Sequence, residues 1–312
     1  MQQMQEPSLF ETNESAQSAL QSNSTSKSVL DLGVSSANNS LNFKKGDRQN
    51  LCQNSQNTLN LTQSVDFSKE LEQLRNNPNY KPQIRYNKKP FSLLIFSSFT
   101  SLDFDLFMCF CFAANEKGNL KIKISFDDLN FLMGKVISKN SKRLFKKLDE
   151  FCEKAAKVIV KQKKDISNSY THLFDNIEIF EKEKVIIIQF NALMVSALNN
   201  FKFGNFYTQF ELQQYCEKLT SKYSKQLYIL LMDNLYTEKP LKKYREELIE
   251  YLNLKNKVSY KDESNFKKFV LDIACNELQK VFAEFIIKRD YGNGKNNRKV
   301  IAYNFIKLLS SL

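Results

Sequence analysis

Residues 125–154 read SFDDLNFLMGKVISKNSKRLFKKLDEFCEK, and this stretch decides the fold class. Ser125 and Asp128 have the spacing of a capping box, which predicts the start of a short helix that ends at Gly134. A second helix is predicted over residues 139–154, because apolar side chains recur there at helical spacing. Its apolar stripe is Leu144, Leu148, Phe151, Cys152 and Ala155. Two helices joined by a tight turn are typical of a helix-turn-helix unit.

Positive charge covers the other face of the second helix. The candidate DNA-binding residues there are Lys139, Lys142, Arg143, Lys146 and Lys147. Each of these side chains, taken alone, is best explained as a solvated helix surface. Their clustering favours contact with DNA, because the start of the second helix is the part of a helix-turn-helix that enters the major groove.

The neighbouring segments complete a winged helix. A helix over residues 100–117 and a short strand over 121–124 are predicted before the helix pair. Three strands are predicted after it, over residues 158–160, 174–180 and 185–190, and a polar turn joins the last two. Helix, turn, basic helix and β-hairpin is the element order of a winged-helix domain.

The same order recurs towards the C-terminus. Helices are predicted over residues 210–234 and 241–252, and a third helix from Ser264, its predicted N-cap, to about residue 281. A hairpin of residues 285–290 and 299–305 follows, with a sharp turn at Gly292-Asn-Gly294. The third helix has a predicted buried stripe of Phe266, Val270, Ile273, Ala274, Leu278 and Val281. We therefore expect an α+β protein with two tandem winged-helix domains.

This second unit supplies the other candidate DNA-binding residues. They are Lys267, Lys268 and Asn276 on its third helix and Lys295, Arg298 and Lys299 at the tip of its hairpin. The starts of the two basic helices are also alike, since residues 140–145 are NSKRLF and residues 264–269 are SNFKKF. The likeness indicates two copies of one DNA-binding unit.

Composition favours a polyanionic partner and excludes several enzyme classes. The 312 residues include 46 Lys and Arg against 34 Asp and Glu, a formal net charge of +12. His172 is the single histidine, so a nickase site built from two or more histidines is excluded. No phosphate-binding glycine loop is present in the sequence. We expect no catalysis, no cofactor and no metal.

Two acidic pairs and one cysteine pair have simpler explanations than chemistry. Asp103 and Asp105 are two residues apart, so on a helix they do not share a face. Asp127 and Asp128 lie in the first turn of a helix, where the helix dipole favours carboxylates. The cysteines of the Cys109-Phe-Cys111 segment have no second pair with which to complete a metal site. We expect small buried thiols there, in a reducing compartment.

Residues 1–80 differ from the remainder of the chain. They are rich in Ser, Asn, Gln and Thr, and their 6 basic and 8 acidic residues give a net charge of −2, which leaves +14 on the rest. Such a segment buries too little apolar surface to offset its ordering entropy, so we expect a disordered tail with at most a short helix at residues 67–75. A partner-recruiting arm is the alternative. We expect no secretion signal and no membrane span, and a cytoplasmic protein.

Several segments resemble the replication initiators (Rep proteins) of theta-replicating, iteron-type plasmids. They are FYTQF at 206–210, SKYSKQLY at 221–228, NFKKFVL at 265–271, NEL at 276–278 and the G-x-G-K-x-x-R-K-V ribbon at 292–300. The resemblance is good over residues 204–312 and weaker over residues 88–203. It implies a first domain at 88–203 that contacts phosphates and dimerises, and a second at 204–312 that is the main reader of direct repeats (iterons) in the origin.

The resemblance also implies a set of partners. These are double-stranded origin DNA, a host initiator and helicase, and a second copy of the chain in a monomer–dimer equilibrium. In the family, monomers initiate replication and dimers often repress the protein's own gene. Lys267 and Lys268 stand where the family usually has arginine, Phe269 occupies a third basic position, and Gln226 replaces another arginine. Because Lys lacks the bidentate fork of Arg, base readout is expected to differ. The alternative function is a transcription repressor without initiator activity.

One expectation concerns the dimer. The hairpin Phe174–Phe190 of the first unit is a long strand pair rich in Ile, and its segment Val185-Ile-Ile-Ile188 is more apolar than an exposed edge strand normally is. Such edges pair with a second copy unless they are blunted by charge. The alternative is that the helix after Asn191 covers this hairpin within one chain.

Overall fold

A strand and a helix open the part of the chain that the structure describes. This computed structural model describes residues 64–308 except 78, 93, 95, 97, 164–167, 200–206, 236–238 and 293–298. Strand β1 (Val65–Asp66) leads into helix α1 (Phe67–Arg75), and the Asp66 carboxylate accepts a hydrogen bond from the backbone N–H of Ser68 at 3.1 Å. The predicted helix at residues 67–75 is confirmed.

The predicted tail reaches too far along the chain. Phe67 and Leu71, one helical turn apart, are 2% and 0% exposed, so α1 belongs to the folded core. The prediction of disorder is therefore wrong for residues 65–75, because two apolar side chains at this spacing anchor the helix. Residues 1–63 of the predicted tail lie outside the described residues.

The first winged-helix unit follows the predicted element order. Its elements, with two short ones before it, are β2 (Gln83–Asn87), α2 (Lys88–Phe91), α3 (Ser101–Ala114), β3 (Ile122–Ser125), α4 (Phe126–Leu132), α5 (Ser141–Ala156), β4 (Ile159–Lys163), β5 (Asn168–His172), β6 (Phe174–Phe180) and β7 (Val185–Phe190). Capping boxes open α3, at Thr100 with Asp103, and α4, at Ser125 with Asp128. The predicted strand at 158–160 is longer than expected and pairs with β5, which the sequence analysis missed.

Strand β7 is an inner strand of its sheet. The strand order is β1-β3-β7-β6, and β7 pairs antiparallel with both β3 and β6. Val185 is 6% exposed, and Ile186 and Ile188 are fully buried. The expectation of an exposed edge at residues 185–188 is therefore wrong, because both edges of β7 are hydrogen-bonded within the chain.

The segment between the two units is more broken than predicted. It contains α6 (Ala192–Leu198), β8 (Tyr207–Glu211), α7 (Leu212–Lys218) and α8 (Lys222–Asp233). The single helix predicted over 210–234 is wrong, because Leu219 has an extended backbone and Ser221 starts a new helix as its N-cap. Strand β8 pairs antiparallel with β2, and α7 packs on α3. The domain boundary between residues 203 and 204 stays a prediction.

The second unit repeats the topology of the first. After α8 come β9 (Leu241–Tyr244) and α9 (Arg245–Tyr251), then helix α10 over residues 263–278, then β10 (Glu284–Tyr291) and β11 (Val300–Leu308). The strand order β10-β11-β9 matches β6-β7-β3, since in both sheets the last strand lies between the other two. Strand β9 occupies what was predicted as the first turn of a helix at 241–252. Two winged helices in tandem are confirmed.

Helix α10 contains a π-helical turn. Its parts are an α-helix (Glu263–Phe266), the π turn (Lys267–Leu271) and a second α-helix (Asp272–Leu278). Asp262 caps it, accepting from the backbone N–H of Asn265 at 3.2 Å, so the predicted Ser264 cap is wrong by two residues. Phe266, Val270, Ala274 and Leu278 are fully buried.

Helix α3 is buried on all sides, as predicted for a core helix rather than a membrane span. Within the described part of the chain, no helix combines the length and the apolar character that crossing a membrane requires.

Candidate DNA-binding surface

Helix α5 and the residues just before it present five cations to solvent. The amide oxygen of Asn140 accepts a hydrogen bond from the backbone N–H of Arg143 at 3.1 Å, which fixes the start of the helix. Leu148 and Phe151 are fully buried and hold the opposite side on the core. All five predicted residues are exposed, namely Lys139, Lys142, Arg143, Lys146 and Lys147. We call this surface the α5 cationic face.

The charge on α5 is graded along the helix. Four of the five cations lie in its first half and Lys139 lies just before it, whereas Asp149 and Glu150 are exposed in its second half. Lys154, near the end, turns inward and pairs with the buried Asp103 at 2.8 Å. The end of α5 that a helix-turn-helix inserts into a groove is therefore the positive end.

Helix α10 exposes a mixed face. Lys268 and Asn276, two of its predicted DNA-binding residues, are exposed. Lys267, the third, is held by a carboxylate: its Nζ donates to Asp272 Oδ1 at 2.9 Å and to Oδ2 at 2.7 Å. The pair is five residues apart, which is the spacing that a π turn brings together.

Two large apolar side chains share this face. Phe269 is 46% exposed and Ile273 is 39% exposed, so the prediction that Ile273 is buried is wrong. Leu271 and Leu278 extend the buried stripe on the far side of the helix, which turns Ile273 outward. Sequence periodicity alone missed this, because Ile273 lies three residues after the buried Val270. We call Lys267, Lys268, Phe269, Asp272, Ile273 and Asn276 the α10 face.

The hairpin of the second unit adds further cations. Lys299 is exposed at its base, where its carbonyl accepts a hydrogen bond from the backbone N–H of Gly292 at 3.2 Å. Lys288 and Arg289 on β10 are also exposed. They form a basic pair within a predicted strand but are not among the predicted DNA-binding residues. The predicted Lys295 and Arg298, with the turn at 293–298, lie outside the described residues.

Glu277 ties α10 to the start of α8. Its carboxylate accepts hydrogen bonds from the backbone N–H groups of Thr220 and Ser221, both at 3.0 Å, and from the Thr220 hydroxyl. Burial by itself would raise the pKa of Glu277, but hydrogen bonds from Thr220, Ser221 and Ser224 outweigh it and hold the pKa below its usual range. A carboxylate at the N-terminus of a helix also complements its dipole.

The other end of α8 is capped by a cation from the second sheet. Lys307 Nζ on β11 donates to the carbonyl of Leu231 at 2.8 Å and to that of Asn234 at 2.6 Å. Burial, with the nearby Lys88 as the lesser cause, lowers the pKa of Lys307 to about 8. The second unit thus holds α8 at both ends.

The first unit holds α8 by a buried ion cluster. The Asp105 carboxylate on α3 pairs with Lys225 of α8, and with Lys135 at 2.7 Å. Lys225 and Asp105 are 0% and 1% exposed at their side chains. Burial lowers the pKa of Lys225, and Asp105 acts against that shift. Helix α8 is therefore bound to both units.

The candidate acidic and thiol groups are engaged in structure. The Asp128 carboxylate, besides its capping box, accepts from Arg75 at 2.9 Å. Cys109 and Cys111 are fully buried, and burial raises the pKa of the Cys111 thiol well above its usual range. Among the described residues no group of three or more His, Cys, Asp or Glu has an arrangement that could hold a metal ion.

Two family models match the chain on either side of the segment between α8 and β9. The model described as "Initiator Replication protein, WH1" matches residues 89–232, and "Initiator Rep protein, WH2" matches residues 244–306. The chain belongs to the replication initiator (Rep) family. The predicted resemblance is thereby confirmed, and the first match places β8, α7 and nearly all of α8 in the WH1 region of this Rep chain.

Solved structures support the fold of this Rep chain. The crystal structure of the Pi initiator protein in complex with iteron DNA is similar at 18% identity with a TM-score of 0.57, over 74% of this chain and 99% of that chain. Domains 2–3 of RctB give 11% identity and a TM-score of 0.40 over 75% and 94%, a likeness too low to carry an argument. No curated protein matches the sequence.

Proposed function

We propose that the protein initiates plasmid replication by binding the direct repeats of an origin, the iterons, through both winged helices. The observation that carries this proposal is the repeat itself: each unit exposes cations at the start of its third helix, in a chain that family models match over both domains. The similar Pi initiator was solved on iteron DNA, which supports the same ligand class here.

The two units make different contacts with the DNA. The α5 cationic face is all Lys and Arg, which suits sequence-independent phosphate contacts. The α10 face combines Lys268 with the amide of Asn276, and an amide can pair in bidentate fashion with adenine. Lys299, with Lys295 and Arg298 of the hairpin tip, supplies backbone contacts beside it. The domain limits of 88–203 and 204–312 are part of this proposal.

Further parts of the proposal rest on the family resemblance. They are a homodimer in equilibrium with monomers, recruitment of a host initiator and helicase, and repression of the protein's own gene. A cytoplasmic location and the absence of catalysis are also proposed, from the sequence itself. The segment at residues 185–188 does not support dimerisation, since β7 is an inner strand and β6 lies at that edge of the sheet.

A binding experiment tests the assignment. Labelled duplexes carrying the direct repeats beside the gene, and scrambled duplexes of equal composition, are titrated with full-length protein. Lys268→Ala with Asn276→Ala should lower the preference for the repeats, at roughly 1–3 kcal/mol per base-contacting side chain. Lys142→Ala with Lys146→Ala should weaken binding to both duplexes and reduce the salt slope by about 0.9 per lost phosphate contact.

Lys69→Ala, an exposed cation on α1, is the control and should change neither quantity. Equal effects of both double variants on both duplexes would refute the division of work. A preference for an inverted repeat over direct repeats, together with failure to replicate a plasmid that carries the direct repeats, would favour the repressor alternative. Nicking of supercoiled origin DNA or ATP turnover by the pure protein would refute the absence of catalysis.

A further inference from the structure

Phe269 and Ile273 form an exposed apolar pair in a polar, cationic setting. They are four residues apart and 46% and 39% exposed, so they lie on one face of α10 and neither completes the core. The buried stripe of the helix is already filled, since Phe266, Val270 and Ala274 are fully buried on other sides of it. A contiguous apolar patch rimmed by polar and charged side chains is typical of an interaction site.

The charged side chains around this apolar pair indicate which kind of ligand it binds. Lys268 precedes Phe269, with its ammonium 5.3 Å from the centroid of the Phe269 ring. Asn276 lies three residues after Ile273 on α10, and Lys280 is exposed just beyond the end of the helix. An apolar protein surface would gain nothing from the flanking cations, whereas a duplex offers phosphates to them. In the major groove, the apolar group available is the C5-methyl of thymine.

We propose that Phe269 and Ile273 determine specificity by contacting thymine methyls in the major groove of the iteron. The proposal rests on the proposed function and names what the second unit reads. Four helical residues span about 6 Å at 1.5 Å each, which corresponds to about two base steps of 3.4 Å. The protein therefore selects thymines about two base pairs apart, with Asn276 placed to pair with a neighbouring adenine.

The test removes the methyl group from the DNA and the apolar side chain from the protein. The best-binding duplex is first selected from a random pool with full-length protein. Each thymine of that duplex is then replaced singly by deoxyuridine, which lacks the methyl but pairs identically. One lost methyl contact should weaken binding about fourfold, and two positions of this kind, about two base pairs apart, should be found.

A double-mutant cycle assigns the contacts to residues. In Phe269→Ala the duplex with the sensitive thymine and its deoxyuridine version should bind equally, because the partner of the methyl is gone. In Ile273→Ala, replacing the other sensitive thymine by deoxyuridine should likewise leave the affinity unchanged. Val258→Ala is the matched control, since Val258 is 75% exposed and lies outside α10, and it should keep both sensitivities. Circular dichroism and thermal melting confirm that the variants fold.

The outcomes separate this proposal from the proposed function. If no sequence is enriched by the selection, the proposed function fails and this proposal fails with it. If a sequence is enriched but it lacks thymines at such spacing, or deoxyuridine has the same effect in Phe269→Ala as in the native protein, only the methyl-reading proposal is overturned. A Phe269→Ala variant that binds DNA normally but loses self-association would move the pair to a protein interface and also overturn it.

Discussion

Asp272→Asn is expected to tighten binding to DNA of any sequence without changing the stability of the fold. The side chains of Lys267 and Asp272 are 42% and 47% exposed, and ion pairs of that exposure contribute about 0–1 kcal/mol. The free energy of unfolding should therefore change by less than about 1 kcal/mol. The same substitution removes a negative charge from the α10 face and releases the Lys267 ammonium to reach a phosphate.

The size of the gain follows from counterion release. One additional phosphate contact steepens the dependence of log K on log salt by about 0.9. Relative to 1 M salt, where such contacts contribute little, this amounts to about eightfold tighter binding at 0.1 M.

Fluorescence anisotropy with a scrambled duplex, over about 50–300 mM salt, measures the slope directly. Glu70→Gln is the matched control, because the Glu70 carboxylate pairs with Lys117 at 2.5 Å at a site on α1 with no proposed role in DNA binding. The control should leave the slope unchanged. An Asp272→Asn protein with the slope of the native protein would show that Lys267 does not meet the backbone, and the role given to it here would have to be abandoned.

Three further predictions concern the framework that carries these faces. Phe67→Ala should lower the free energy of unfolding by about 3–5 kcal/mol in urea titrations, because α1 is part of the core. Glu72→Ala, at an exposed position of α1, should change it little. Equally small effects of the two variants would show that α1 belongs to the tail. Asp105→Asn should lower the free energy of unfolding by about 3–5 kcal/mol in the same experiment, since it leaves the Lys225 ammonium buried without its partner. Lys225→Met should lower it far less, because no buried cation remains. Equal losses of stability in the two variants would contradict this explanation. The pKa of Glu277 is lowered in the folded state, so its contribution to stability is present at neutral pH and is lost as pH falls through the folded pKa. Glu277→Gln should then show a flatter acid limb in unfolding experiments between about pH 6 and 3, and parallel limbs would rule out this coupling.

Local signals in the sequence predicted most of the framework correctly. The capping box at Ser125 and the apolar stripe of α5 are both confirmed, because each depends on residues within a few positions of one another. Strand β8 was missed for the opposite reason, because its pairing partner β2 is far away in the sequence. Arg85 of β2 donates a hydrogen bond to Gln209 of β8 at 3.1 Å, and the two residues are 124 positions apart. A short strand of that kind is stabilised by a partner that periodicity cannot reveal.

The candidate site divides in the same way. Exposure of the α5 cations follows from the helical period alone, and the structure bears it out. The pairing of Lys267 with Asp272 does not follow, because it needs the extra residue of the π turn. The exposure of Ile273 likewise depends on tertiary packing. Leu271 and Leu278 are buried on one side of α10, and this orientation leaves Ile273 in solvent.

Helix α8 has a consequence for the DNA as well as for the protein. Glu277 and Lys307 fix the two ends of α8 to the second unit, and Asp105 fixes Lys225, in its first turn, to the first unit. The two third helices are therefore held at one separation and one angle. A duplex turns by about 35° for each added base pair. Inserting a single base pair between the stretches covered by the two units should therefore rotate one stretch out of reach, so the length of a usable repeat is set by this helix and tolerates little variation.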